Sequence, residues 1–183
     1  MELFFIIPAG LVLVVVWFIF VYNSLITSRN RVEEAWSDIE VQMKRRYDLI
    51  PNLVETVKAY ARHEDSVFTK VTEARAAAMG ATTMQEHAQA ENALSQTLKS
   101  LFAVSENYPQ LRASDNFLDL QRNLTDAEDK IQASRRFYNG QVRDFNTKLQ
   151  VFPTNMIAGM FGFTKRDFYD APEVVNEPPK VSF

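Results

Sequence analysis

His63 and Glu64 are the first neighbours in this sequence whose types could do chemistry together. In a zinc hydrolase, His-Glu-x-x-His puts two imidazoles on one helix face and keeps the glutamate as general base. Here the second imidazole's position holds Val67, so the motif fails. A di-iron bundle needs Glu-x-x-His on two helices, and Tyr60 and Met84 stand three residues before His63 and His87. With two histidines and no cysteine, the donor set for a transition metal is thin, and no metal or cofactor is expected. The serines and aspartates come without Gly-x-Ser-x-Gly, Gly-x-Gly-x-x-Gly or a phosphate-loop lysine. Glu33 and Glu34 belong to a charged helix face, suited to solvation or i,i+4 pairing. No catalytic residue is assigned, and the chain is expected not to be an enzyme.

The densest basic cluster is Lys44, Arg45 and Arg46. Net charge is −3 and charged residues make up 23% of the 183, interleaved in sign as on packed helices. A nucleic-acid partner would want a broader basic surface, so none is expected. Arg45 and Arg46 have Asp48 close by, or carboxylates on neighbouring helices to reach. With Asn52, these residues sit at a helix–helix corner. Arg45, Arg46, Asp48 and Asn52 are therefore the candidates for an inter-helix polar network or a partner-docking surface.

These groups need elements to hold them. Residues 3–22 carry no charge, and twenty residues at 1.5 Å rise give about 30 Å, the thickness of a bilayer's hydrocarbon core. A cleaved signal peptide would begin with basic residues and end at small ones. Here Glu2 precedes the run, which ends Phe-Val-Tyr-Asn, so a transmembrane anchor over residues 1–22 is the expectation. Arg29 and Arg31 follow the span and no Lys or Arg precedes it. The positive-inside rule then puts the N-terminus outside and the main domain in the cytoplasm of a bacterial inner or plasma membrane. On a continuous helix the 44–46 cluster lies ~33 Å beyond Tyr22, too far to feel lipid charge.

Beyond the span, Leu25, Val32, Trp36, Ile39 and Met43 recur at helical spacing. The first helix is expected to run unbroken from the membrane to Ile50, where Pro51 stops it and opens a second. That second helix carries Leu53, Val57, Tyr60, Val67 and Val71 and ends at Met79, Gly80. Thr83 and Glu86 suggest a capping box for a third helix, bearing Leu94, Leu98 and Leu101 and ending near Pro109. Ser114 is the candidate N-cap of a fourth, which carries Phe117, Leu120, Leu124, Ile131, Tyr138, Val142 and Phe145 and closes at Pro153. The fold class is all-α: an N-terminal transmembrane helix continuing into an antiparallel four-helix bundle over residues 23–151. Trp36, Leu53, Val57 and Ile131 should be core.

Residues 152–183 form an apolar knot and an extended tail with Pro172, Pro178 and Pro179. If the first helix leaves the membrane, the fourth returns toward it, and the knot lands near the bilayer. Met156, Ile157, Met160, Phe161 and Phe163 are the candidates for membrane contact. Alternatively the knot docks on the base of the span or caps the open end of the bundle core.

The residues now resemble a known family. The run over 41–54, Val-Gln-Met-Lys-Arg-Arg-Tyr-Asp-Leu-Ile-Pro-Asn-Leu-Val, is similar to the signature of the LemA family. Tyr22 and Asn23, Ala35 and Trp36, His63 and Glu64, Tyr108 and Pro109, Arg135 to Asn139 in the order Arg-Arg-Phe-Tyr-Asn, and Phe152 and Pro153 add to it. Met43 and Ala59 depart from the commoner leucine and glycine. The resemblance implies a bacterial membrane protein with an N-terminal span and an antiparallel helical bundle, without enzyme activity. It also implies company: members often accompany membrane metalloproteases, and one branch helps to shape magnetosome membranes.

The expectation is thus a membrane-anchored scaffold or adaptor. Its partners would be the lipid bilayer and a membrane metalloprotease or other membrane protein, or copies of itself in a homo-oligomer. The alternative is a self-assembling protein that remodels or organises membranes, and an enzyme is the remaining rival.

Overall fold

The computed structural model describes residues 3–169, with side chains from Pro8 onward. Among the described residues every regular element is a helix: α1 (Leu3–Lys58), α2 (Asp65–Gly80), α3 (Met84–Ser105), α4 (Pro109–Arg112), α5 (Asp115–Lys148) and α6 (Thr154–Met160). The chain is all-α, as the periodicity predicts. Two compact units divide it. The first joins α1 up to Val41 with residues 132–167, and the second joins residues 42–131 with Phe168 and Tyr169.

In the first unit, the early part of α1 is apolar on every side. Leu11, Leu13, Val16 and Phe20 are exposed, and this helix is long and apolar enough to cross a membrane. From Val21 the pattern changes to a stripe. Leu25, Val32, Ala35 and Ile39 are buried at spacings that keep one face inward. Tyr138, Val142 and Phe145 of α5 are buried in the same unit. Trp36 meets Tyr138 edge-on at 5.8 Å between ring centroids, while Lys148 reaches back to Ser24 and Ser28. The two helices therefore run antiparallel. Trp36, expected in the core, is only half-buried, because its indole N–H reaches outward to Glu40 at 2.9 Å.

In the second unit α1 contributes Met43, Tyr47, Ile50, Leu53 and Val57 to a core completed by Phe68 and Val71 of α2, Leu94 and Leu101 of α3, and Phe117, Leu124 and Ile131 of α5. Each such side chain brings roughly 1.5–3 kcal/mol on burial. Arg45 pairs with Asp126, and Thr56 accepts a hydrogen bond from Asn116, so α1 and α5 are antiparallel here too.

The break expected at Pro51 is absent: α1 passes through it and ends at Lys58. Proline has no N–H, so the carbonyl four residues earlier loses its helical donor. That carbonyl belongs to Tyr47, and Arg75 of α2 donates its Nε–H to it at 2.8 Å. The real interruption comes at residues 59–64, where the Tyr60 amide bonds to the Val57 carbonyl, three residues back rather than four. Such tightening ends a helix. Tyr60 is exposed, and Phe68 rather than Val67 is the buried member of the next turn.

Helix α3 starts with the expected capping box: Glu86 N–H bonds to the Thr83 hydroxyl, and the Glu86 carboxylate accepts from Thr83 N–H at 3.0 Å. Hydrogen bonds from the Thr82 and Thr83 amides hold the Glu86 carboxyl down at about 2, against an ordinary 4.5. A depressed carboxyl stabilises the fold fully above its unfolded pKa and loses that contribution as pH falls through about 2. Two short helices, α4 and α6, were not expected, and α5 ends at Lys148 ahead of Pro153. The prolines of the tail lie outside the described residues.

The Tyr47 carbonyl gives a direct test. Arg75→Met should cost about 1.5–3 kcal/mol, the range for hydrogen bonds from a charged group. In a Pro51→Ala background, where a helical N–H returns, the cost should fall by at least half. Urea unfolding of the detergent-solubilised chain, followed by circular dichroism, measures both. Equal costs in the two backgrounds would sink the explanation.

Candidate functional site

Two places concentrate unusual side chains, one in each unit. The first lies at the end of the apolar part of α1. After α5 a turn with a cis Phe152–Pro153 peptide leads into α6. Ile157 and Ala158 are buried in one cluster with Val21 and Leu25, bordered by Phe18, Tyr22, Leu149 and Phe163. Met156 and Met160 stay 60% and 73% exposed on the other side of α6, and Phe161, just past its end, is 50% exposed. Phe161 nonetheless touches α1: its ring lies 4.7 Å from that of Tyr22 and 5.9 Å from that of Phe18.

Gly162 fixes how α6 stops. Its φ is +69°, a region open to glycine and costly for other residues. The Phe163 amide bonds to the Ala158 carbonyl at 3.0 Å and the Gly162 amide to that of Gly159 at 3.3 Å. Together these form the paired bonds of a Schellman stop. The chain then leaves as an extended strap. The Asn146 side chain donates to the Arg166 carbonyl at 2.8 Å and accepts from the Arg166 amide at 2.9 Å. Tyr138 donates its hydroxyl to the Asp167 carbonyl at 3.0 Å, and burial raises its pKa above the ordinary phenol value.

The second place is a buried charged centre. Arg46, 1% exposed, donates to Glu91 of α3, itself 0% exposed, and to Glu128 of α5. It also reaches the Ser95 hydroxyl at 3.1 Å. Tyr47 donates its hydroxyl to the other Glu91 oxygen. Burial first, and then this bond to Glu91, push the Tyr47 phenol far above its ordinary range. One guanidinium thereby ties three helices together. Nearer the surface, Arg45 and Lys130 share Asp126 at 2.8 and 3.1 Å. The Lys130 bond, and after it that of Arg45, keeps this carboxyl below the usual carboxylate range. Among the described residues, no group of three or more His, Asp or Glu side chains is arranged to hold a metal ion.

The LemA family model matches residues 35–183. This chain belongs to the LemA family. It is 28% identical to Protein LemA of Metamycoplasma hominis, over 94% of this chain and 78% of that one. It is 24% identical to magnetosome protein MamQ 1 of Paramagnetospirillum magneticum, over 86% of this chain and 67% of the relative. With magnetosome protein MamQ of Magnetospirillum gryphiswaldense the identity is 23%, over 81% and 64%. The LemA match begins after the apolar part of α1 and takes in residues of both units.

Of the four residues picked around the basic cluster, the fold treats each differently. Arg46 is buried and Arg45 is half-buried against Asp126, while Asp48 and Asn52 are exposed, with no side-chain hydrogen bond among the described residues. Of the five picked in the knot, Met156 and Met160 face outward, Phe161 is exposed yet lies against Tyr22 and Phe18, Ile157 is buried and Phe163 is half-buried. Sequence reasoning missed Glu91, Glu128 and Tyr47 as a set. The signal was present for Glu91: it stands in line with Leu94, Leu98 and Leu101, a carboxylate on an apolar stripe. Arg46 lies in the same way beside Met43 and Ile50.

Removing one partner of a buried ion pair leaves a charge without compensation, at about 3–5 kcal/mol. Arg46→Met should therefore destabilise the chain by about that much. Adding Glu91→Leu should recover at least half of the loss, because Glu128 can turn to solvent. Unfolding midpoints of the two variants decide it, and a double variant weaker than Arg46→Met would refute the assignment.

Proposed function

We propose that this LemA-family chain is a membrane-anchored, non-catalytic helical scaffold, seated at the bilayer surface by α6 and organising a protein partner through its polar unit. One observation carries the reading: α6 buries Ile157 and Ala158 against the end of the apolar part of α1 while turning Met156 and Met160 outward. Exposed apolar side chains of that size mark a contact surface. Beside an apolar helix long enough to cross a bilayer, the matching surface is the lipid interface. In the second unit the exposed Asp48 and Asn52, with Arg45, are the docking candidates for a membrane protein such as a metalloprotease. Arg46 holds the helices behind them.

The orientation we propose follows from Arg29 and Arg31: N-terminus outside, main domain cytoplasmic. The chain has no cysteine, so a single Ser37→Cys reports its side. A membrane-impermeant maleimide added to intact cells should leave it unlabelled until the cells are opened. Labelling of intact cells would reverse the topology.

A second reading is favoured by the relatives whose names include the word magnetosome: self-assembly that bends or partitions the bilayer, with α6 as a shallow wedge. Light scattering with detergent subtracted, on gently extracted full-length protein, separates the two. The scaffold reading expects a monomer, or a small complex with a second protein at fixed ratio. A large, uniform homo-oligomer that Met160→Ser with Phe161→Ser disperses would replace it with the second reading.

A further inference from the structure

Tyr22, Ile26 and Arg29 of α1, Phe145 of α5 and the strap that follows α6 line a cleft of about 250 Å³ within the first unit. Tyr22, Phe161 and Phe163 form its apolar wall, and Arg29, Thr164 and Arg166 its polar one. The volume is below the roughly 300–1,000 Å³ of drug-sized ligand sites, so it suits a compact group.

The charges in the cleft are incompletely matched. Arg29 and Arg166 share one carboxylate, Glu33, at 3.9 and 3.0 Å. All three side chains are 42–56% exposed, so these are surface ion pairs of small worth that a better ligand can displace. The Arg29 Nε is buried with no hydrogen bond among the described residues. Its Cζ lies 5.8 Å over the Phe163 ring. The face of Phe163 is thus already occupied by a cation, and the wall is no empty cage for a quaternary ammonium. What the cleft lacks is an anion. Guanidinium groups meet phosphate oxygens in a two-bond fork, stronger than a neutral hydrogen bond.

Position selects the source of that anion. Arg29 is two helical turns beyond Tyr22, and side chains on a helix lean toward its N-terminus, which here is the apolar end. The Tyr22 and Phe163 rings are 6.2 Å apart, so Arg29 over Phe163 is held back toward the end of the apolar segment. These two distances keep the guanidinium within about 12 Å of the Tyr22 ring, next to where a headgroup layer roughly 5–7 Å deep would lie. The exposed Lys165 and Arg31 add positive charge along the chain on either side.

We propose that this cleft binds the phosphate of one anionic phospholipid headgroup, with Arg29 and Arg166 on the phosphate and Phe161 and Tyr22 against the first carbons of the lipid. The proposal rests on residues 3–22 being the membrane anchor.

The test uses full-length protein in detergent micelles titrated with phosphatidylglycerol or phosphatidylcholine, with bound lipid counted by native mass spectrometry. One phosphatidylglycerol should bind saturably, about ten-fold or more tighter than phosphatidylcholine. Inorganic phosphate at millimolar concentration should not displace it. Arg29→Gln and Arg166→Gln should each weaken phosphatidylglycerol about ten-fold, and Glu33→Gln, which removes the competing carboxylate, should tighten it several-fold. Equal binding of the two lipids, displacement by inorganic phosphate, or a Glu33→Gln variant no tighter than the parent would overturn the site. Alkaline extraction of the source membranes tests the anchor separately. Protein that stays in the membrane yet shows no phosphatidylglycerol preference refutes the cleft and leaves the anchor standing.

Discussion

A helix that leaves a bilayer must exchange lipid for protein on its apolar face within a turn or two. In the first unit α1 passes from apolar on every side to apolar on one face, and the packing follows that change. Up to Phe20, α1 shows apolar side chains all round, and at Val21 and Leu25 it has become a one-sided helix. The side that closes is covered by Ile157 and Ala158 of α6, and farther along by Val142 and Phe145 of α5. The polar groups met at the crossing are also satisfied. Ser24 and Ser28 accept the Lys148 ammonium, so the first hydroxyls past the apolar stretch are met by a side chain of the returning helix. Without that cover Leu25 would face water, and with the cover but without Lys148 the buried Ser28 would have only the Ser24 carbonyl of its own helix to bond.

The second unit solves a different problem. Helices with similar apolar stripes can pack in several registers, and hydrophobic contact alone discriminates weakly among them. A buried guanidinium discriminates strongly, since any slip that separates Arg46 from Glu91 leaves two charges in a low-dielectric core. Such a centre adds little net stability, because desolvation offsets much of the attraction. Its contribution is to specificity, and the Tyr47 hydroxyl on the second Glu91 oxygen adds a further geometric condition. The same Tyr47 exposes its carbonyl to Arg75 because of Pro51. About one and a half turns of α1, residues 46–51, thus set its position against α2, α3 and α5.

That stretch also shows what was legible in the sequence and what was not. The long apolar first helix, the all-α class, the capping box at Thr83 and the end of α2 at Gly80 come from local rules, and the structure shows them. Pro51 misled, because local chemistry favours a break there and only a residue from another helix, Arg75, makes continuity cheap. The turn at 59–64 was hidden for a related reason. Val57, Ala61, Phe68 and Val71 are spaced alike whether the helix continues or folds back. Arg45 and Arg46 stood out by charge density, whereas Glu91 and Glu128 did not, because pairing across more than forty residues leaves no periodic trace. In the knot, composition singled out five residues but could not say which were inward. That needed the direction of a helix whose existence depends on the contact itself.

Helix α6 has seven residues, far below the ~12–15 at which an isolated helix becomes even marginal in water. Its existence therefore reports support from outside: Ile157 and Ala158 docked on α1 at one face, and a glycine stop at Gly162 that uses up the carbonyls of Ala158 and Gly159. Those two supports fix the rotation of the helix. Once the rotation is fixed, the outward direction of Met156 and Met160 is a consequence of the inward direction of Ile157, two spacings on one cylinder. An exposed methionine on a mobile loop carries little information. On a helix held this way, the exposed face is as determined as the buried one.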